Sequence, residues 1–485
     1  MLVSLYTSRV ILQALGETDF GIYNIIGGFV ALLSFLNAAM TNATQRFLNF
    51  ELGKKDNSQV DKVFSMSLTI YFLIALIFIL VFETAGLWFF STKLNIPADR
   101  MVAASWVYHF SILTACVQLL RLPYQASIIA YENMSVYAYV SIVEVLLKLV
   151  LVYLLLIINQ DKLIVYAVLT FLVTTIISVI FYAYCKRKYS TCKYNLIWDK
   201  GLFVKLLSFS GWSLFGGLAN VGASHGVNIV LNLFYGVVIN AAMGVANQVH
   251  AAINSFVSNF QIAFNPQIVK TYAEGDKIGF NSLVFRASRF SYYLLFIIAY
   301  PVILCCQPIL DLWLTIVPEY TTQFIQLFLI FSLIDAMSGP LWMSVQATGI
   351  IRNYQIVVSV MILLNLPLIY ICMKLGYSPI AALVVRIIIN LLTHLYRLWY
   401  LYKHIDFPLL RYVREVMVRC VVVSVLIIPI PYIILQHINS IFLGYFIVFL
   451  SSLLVSLCVV LFYGLEKGER NHIMQIARSV ITIRK

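Results

Sequence analysis

The stretch VYAYVSIVEVLLKLVLVYLLLII fills residues 136–158, and LIVYAVLTFLVTTIISVIFYAY fills residues 163–184, with only NQDK between them. The first holds two charged residues, Glu144 and Lys148, and the second holds none. A helix needs about 20 apolar residues to cross the roughly 30 Å hydrocarbon core of a bilayer, whereas a barrel strand needs about 9–11. Backbone groups in lipid must be satisfied within the spanning structure, so runs of this length are helices. The pair reads as a transmembrane helical hairpin.

Outward from this hairpin the same pattern fills the chain. Runs fall near residues 2–15, 20–47, 63–90 and 101–131 before it. After it they fall near 203–235, 237–264, 290–314, 324–348, 356–375, 380–402, 416–435 and 441–463. Of the 485 residues, 62% are hydrophobic and 11% are charged, and the mean hydropathy is +0.92. Soluble domains carry about 25% charged residues, which excludes a soluble enzyme, a disordered tail and a fibrous protein. The expected class is all-α, a polytopic membrane protein of about 14 transmembrane helices. The run at 2–15 rises only about 22 Å at 1.5 Å per residue, which predicts that a turn or more lies upstream of Met1. No charged segment with a cleavage site precedes it, so no cleaved signal is expected.

The net charge of +13 reads as topology. Basic residues collect in cytoplasmic loops. With the loop after residues 20–47 placed inside, the inner loops and helix ends hold 25 of the 33 basic residues, Lys186, Arg187, Lys188, Arg289 and Arg397 among them. The opposite face holds four, Lys93, Arg100, Lys162 and Lys374, and the C-terminus falls inside. The remaining four, Arg9, Arg121, Lys148 and Arg386, lie within apolar runs. No soluble segment is long enough to bind nucleic acid. The eight cysteines form no CxxC and most lie in apolar runs, where Cys acts as a small hydrophobe. Neither a metal nor another cofactor is expected.

A repeat is visible. Asn37, Gln45, Gly53 and Lys55 recur as Asn259, Gln267, Gly275 and Lys277, each 222 positions later. Pro123, Ala130 and Tyr137 return as Pro340, Ala347 and Tyr354, each 217 later. Six runs separate the copies, an even number that gives both halves the same orientation, as in a parallel repeat. The expected organisation is an N-terminal six-helix lobe at 1–200 and a C-terminal six-helix lobe at 201–405, related by a pseudo-two-fold axis. Two extra helices and a basic cytoplasmic tail would occupy 406–485.

Ser8-Arg9, Leu15-Gly16 and Phe20-Gly21-Ile22-Tyr23 open the chain, Glu51-Leu52-Gly53-Lys54-Lys55 forms the first basic loop, and Pro123, Ala130 and Tyr137 follow. In these residues the sequence resembles polysaccharide exporters of the multidrug/oligosaccharidyl-lipid/polysaccharide (MOP) superfamily, and among them the O-antigen and capsule repeat-unit flippases. The resemblance implies a flippase for polyprenyl-pyrophosphate-linked oligosaccharides in the bacterial inner membrane, with a central cavity between two lobes. Membrane lipid around the polyprenyl tail and polysaccharide-assembly proteins are the implied partners. The resemblance also places a substrate-facing arginine at Arg9.

Intramembrane charge supplies the candidate site. An Arg or Lys at mid-helix costs about 2.5–3.5 kcal/mol on insertion scales, so such residues face a cavity or a partner. Arg9 and Arg121 are candidates to hold a pyrophosphate, because the guanidinium fork matches phosphate oxygens bidentately. The plainer alternative is snorkelling, or pairing with Glu83 or Asp335. Glu144 and Lys148, spaced i,i+4, read first as a neutralising pair and second as a cavity-facing pair that parts when substrate or a cation arrives. Arg386 has no acid at i±4, so it joins the substrate set with Lys148. Glu83, Glu144 and Asp335 are candidates for coupling to a proton or sodium ion, with structural pairing equally open.

Polar stripes complete the set. Asn220, Ser224, Asn228 and Asn232 recur at steps of four, and Asn240, Asn247, Asn254 and Gln261 at steps of seven. Both spacings hold one helix face, which favours cavity lining by Asn228, Asn247 and Asn254 over helix–helix bonding. His225 and His250 read as structural. A membrane polysaccharide polymerase would need catalytic residues in a large external loop, and the external connections here are short. A drug or cation exporter would need cavity carboxylates, whereas the intramembrane charges are mostly basic.

Overall fold

The computed structural model describes residues 7, 10–11, 13–16, 18–23, 26, 34–93, 96–158, 160–314, 316–437, 442–466 and 468–471. Among these residues the chain is all-helical, without a strand. Eleven of the described helices are long and apolar enough to cross a membrane. Of the three further runs in the sequence, 2–15 and 20–47 fall partly outside the described residues. The third, 237–264, is helical but diluted by its asparagine stripe.

The chain divides into two compact units, Met1–Gly217 and Leu218–Lys485. Unit 1 contains α1 (Ser34–Gly53), α2 (Asn57–Val81), α3 (Met101–Ala130), α4 (Met134–Ile157) and α5 (Lys162–Lys188). It also holds the start of α6 (Lys200–Glu274), which breaks at Gly236. Unit 2 continues with α7 (Lys277–Leu304), α8 (Thr321–Thr348), α9 (Arg352–Leu363), α10 (Asn365–Lys374), α11 (Ile380–Ile405) and α12 (Phe442–Val459).

The ends of these helices follow from local chemistry. The hairpin of α4 and α5 turns on Asp161, whose side chain accepts from the Leu163 and Ile164 N–H groups and caps α5. Arg100 fixes the same turn, donating to Asp161 and to Asp19 at 2.8 Å each. Lys186, Arg187 and Lys188 close α5, where cations suit the negative end of the helix dipole. Asp56 caps α2 and Asp276 caps α7, each accepting from the N–H three residues on.

In unit 1, α3 is the central helix and packs against α1, α2 and α5. In unit 2, α8 holds that place between α7 and α11. Both central helices contain a proline, which lacks an N–H and leaves a carbonyl unpaired one turn back. In α8 that carbonyl belongs to Ala336, and the Gln261 side-chain amide donates to it at 2.9 Å. Ser127 donates to the Pro123 carbonyl and Ser344 to the Pro340 carbonyl, both at 2.8 Å. The two prolines therefore sit in the same local construction, 217 residues apart.

Candidate functional site

Each unit carries its own cluster of intramembrane charge. In unit 1, α4 presents Glu144 and, one turn on, Lys148. The Lys148 ammonium donates to the Glu144 carboxylate at 2.7 Å. From α3 the Arg121 guanidinium approaches the other oxygen at 3.6 Å. One carboxylate thus serves two cations. Arg121 pairs with Glu144 rather than with Glu83 or Asp335, because α3 and α4 are joined by a tight turn and lie side by side. Its guanidinium also lies 5.7 Å from the Phe181 ring centre.

Glu144 and Lys148 line a cavity of about 230 Å³ with Gln118, Tyr23, Tyr166 and Thr170. The two tyrosine rings meet edge to face at 4.7 Å. Glu83 stands apart from this cavity, on a π-helical turn at Phe82–Gly86, and bonds His109 at 2.9 Å. Arg9 lies outside the described residues.

Unit 2 holds the more strongly charged cavity, about 210 Å³ in volume. One wall is a stripe of α11: Arg386, Asn390, Thr393 and Arg397, at steps of four, three and four. This spacing keeps side chains on one helix face. Facing it, α8 supplies Asp335, which interacts electrostatically with both arginines. Asn220 and Ser224 of α6 and Tyr354 at the start of α9 close the ring. The cluster carries two positive charges and one negative.

The two arginines are held differently. The Arg386 guanidinium lies 5.1 Å from the Phe328 ring centre and 5.3 Å from that of Phe331, both on α8. Aromatic faces attract a cation in this way without consuming its N–H donors. Arg397 is buried, donating from Nε to the Tyr354 hydroxyl at 2.6 Å and from a terminal nitrogen to the Ser338 carbonyl at 3.4 Å. That uses two of its five N–H donors. A second cavity of about 190 Å³ shares Asp335, Trp342 and Arg397 with the first, and adds Asn254, Ser258 and Gln261. Guanidinium forks suit phosphate oxygens, and the surrounding amides and hydroxyls can bond sugar hydroxyls.

The sequence-predicted residues therefore separate into groups. Arg386 and Asp335 meet in the first unit 2 cavity, and Asn254 joins Asp335 in the second. Arg121, Glu144 and Lys148 meet in unit 1. Asn228 and Asn247 are half-buried on α6 and do not line these cavities. His250 bonds the Ser332 hydroxyl at 2.8 Å and stacks on Phe328. Arg397 and Tyr354 are the residues that site reasoning from sequence passed over. Arg397 counts there as a helix-end cation, yet its distance of 11 residues from Arg386 is three helical turns and places both on one face.

Comparison with known proteins fits this architecture. No curated protein matches the chain. Among solved structures, a MATE transporter in the bent conformation superposes with a TM-score of 0.71 at 14% identity, over 83% of this chain and 91% of its own. An outward-facing multidrug resistance MATE family transporter of the MOP superfamily gives 0.70 at 13% identity, over 84% and 92%. A MOP superfamily transporter from Pyrococcus furiosus gives the same values. The profile of the family described as "Polysaccharide biosynthesis protein" matches residues 1–272, more than half the chain. With that match over more than half its length, the chain belongs to the family described as "Polysaccharide biosynthesis protein" and shares the fold of these MATE and MOP superfamily structures.

Proposed function

We propose that the protein flips a polyprenyl-pyrophosphate-linked oligosaccharide, an O-antigen or capsule repeat unit, across the bacterial inner membrane by alternating access. The observation that carries this reading is the charge of the unit 2 cavity, where Arg386 and Arg397 outnumber Asp335 on a wall shared with Asn390 and Thr393. A pyrophosphate would meet the guanidinium groups, the sugars would bond the amides and hydroxyls, and the polyprenyl tail would stay in lipid. Arg9, Arg121 and Lys148 extend the basic set, and Asn228, Asn247 and Asn254 the polar one. Glu83, Glu144 and Asp335 are the carboxylates that would answer to a proton or sodium ion. The parallel repeat, with lobes at 1–200 and 201–405, two extra helices at 406–485 and a cytoplasmic C-terminus, belongs to the same reading. Neighbouring polysaccharide-assembly proteins would supply and receive the cargo, so the chain acts as a transporter and not as a glycosyltransferase.

The test is flipping of a fluorescent polyprenyl-pyrophosphate saccharide by purified protein in vesicles. A charge-assisted hydrogen bond contributes about 1.5–3 kcal/mol, so Arg386→Ala should slow flipping at least about tenfold. An unchanged rate at an unchanged protein level would remove the phosphate-binding role.

A MATE-type drug exporter is the second reading, favoured by the fold likeness. The Pyrococcus furiosus transporter of this fold is described as having a binding pocket of reverse polarity that suggests a different function, so pocket charge is the property to compare. A cavity with two arginines to one aspartate repels a cationic drug. Uptake of ethidium, alongside the flipping assay, separates the two readings.

A further inference from the structure

Between α5 and α6, within unit 1, residues 193–199 (KYNLIWD) leave helical geometry. The flanking helices end at Lys188 and start at Lys200, and both are long and apolar enough to span the bilayer. The strap therefore lies at one membrane surface. Its root is firmly held. Tyr189 stacks on Tyr131 at 4.1 Å, Asn133 bonds the Tyr189 hydroxyl, and the Thr191 and Tyr131 hydroxyls meet at 2.6 Å. The strap is also pinned to α2: the Ser65 hydroxyl donates to the Lys193 carbonyl at 3.4 Å and accepts from the Asn195 N–H at 3.1 Å. Ser65 is about 12 Å along the axis of α2 from its first residue, so the strap runs beside a membrane helix and not beyond its end.

The Tyr194 hydroxyl lies 3.4 Å from that of Thr69 on α2, and the Trp198 ring centre lies 5.1 Å from that of Phe203 on α6. Tyr194, Leu196 and Trp198 are 48%, 86% and 63% exposed. Flanking them in sequence, Lys186, Arg187, Lys188, Lys193, Lys200 and Lys205 are all exposed. Two acids meet this group. Asp199 caps α6 by accepting from the Leu202 N–H at 3.0 Å, and Asp61 faces Lys193. Exposed apolar side chains, one of them an indole, flanked in sequence by cations at the end of spanning helices, match the boundary between acyl chains and anionic headgroups.

We propose that this strap is an interfacial anchor that binds the anionic phospholipid of the surrounding bilayer. Leu196 and Trp198 enter the acyl boundary, and the lysines with Arg187 take the headgroup phosphates. The site is independent of the transported cargo.

The test uses the full chain in vesicles of fixed phosphatidylglycerol and phosphatidylcholine content, with bromine on the upper acyl chain of one lipid or the other. Wild-type minus Trp198→Phe emission isolates Trp198. Its emission should be quenched more by the brominated phosphatidylglycerol. Replacing Lys186, Arg187 and Lys188 by Gln should reduce that preference at least about fivefold, since each basic residue near an anionic surface is worth roughly that factor. Equal quenching by both lipids would overturn the anionic assignment. Quenching by aqueous acrylamide and by neither lipid would place the strap in water and overturn the anchor. Shielding from all three would mean that protein covers it, which overturns the proposal as well.

Discussion

Arg289 and Glu469 hold each other at 2.9 Å across 180 positions of sequence, with side chains only 1% and 6% exposed. Glu466 bonds a second guanidinium nitrogen of Arg289 at 2.9 Å, and Arg286 reaches Glu469 at 3.2 Å. The segment that follows α12 is thereby tied to α7 inside unit 2.

Removing one partner of a buried ion pair leaves the other charge uncompensated, at a cost of about 3–5 kcal/mol. Arg289→Leu should therefore lower the thermal unfolding midpoint sharply in detergent. Combining it with Glu469→Gln should recover most of the loss. A single variant as stable as wild type would show that water or another cation replaces the pair.

The pH response follows from Glu466, which lies just beyond the last spanning segment. Burial acts to raise its pKa, but the charge and hydrogen bond of Arg289, with those of Arg419, outweigh this and hold it below the usual value. A depressed carboxylate contributes stability that is present above its unfolded pKa of about 4.3. That stability is lost as pH falls through the lower folded value. Unfolding midpoints should thus drop on acidification below about pH 4, and Glu466→Gln should flatten that part of the curve.

Glu144 is the one acid shared by Arg121 and Lys148. Its change to Gln leaves two cations in a membrane lobe, and an uncompensated central Lys or Arg costs about 2.5–3.5 kcal/mol on insertion scales. Membrane-inserted protein should fall several-fold, and Glu144→Gln with Lys148→Gln should restore it. Immunoblots of the membrane fraction read both outcomes. Full expression of the single variant would place the cations in a hydrated cavity instead.

Arg397 offers a test of fork geometry. Arg397→Lys keeps the charge but cannot bridge the Tyr354 hydroxyl and the Ser338 carbonyl as a planar guanidinium does. Flipping should be partial for Lys and reduced at least about tenfold for Ala. Equal rates for Lys and Arg would mean that only the charge matters.

Gly236 breaks α6 with φ 74° and ψ −166°, a region essentially confined to glycine. Gly236→Ala should destabilise the protein by about 1–3 kcal/mol. A scanning-fluorimetry midpoint unchanged from wild type would show that the helix can straighten there without loss.

Much of this molecule is legible in its sequence, for identifiable reasons. The hairpin at 136–184 is readable because lipid demands an uninterrupted apolar length, and Asp161 marks the turn by its capping chemistry. The i,i+4 spacing of Glu144 and Lys148 reveals their pair without any structure. Arg121 joining them is not readable, since it requires knowing which face of α3 meets α4. The burial and partners of Arg289 and Arg397 are unreadable for a related reason. Counting cations at helix ends cannot tell a snorkelling arginine from one whose partners, Glu469 or Tyr354, lie far away in the chain.

Arg386 and Arg397 stand on one rigid helix, about 16.5 Å apart along its axis at 1.5 Å per residue. That rise separates their backbones, yet both side chains reach the field of one carboxylate, Asp335, in the same cavity. Because α11 runs without interruption from Ile380 to Ile405, the two backbone positions cannot shift relative to each other. Under the proposed function, any tilt of this helix during alternating access would carry both cations together, so an anion held between them would travel with the helix.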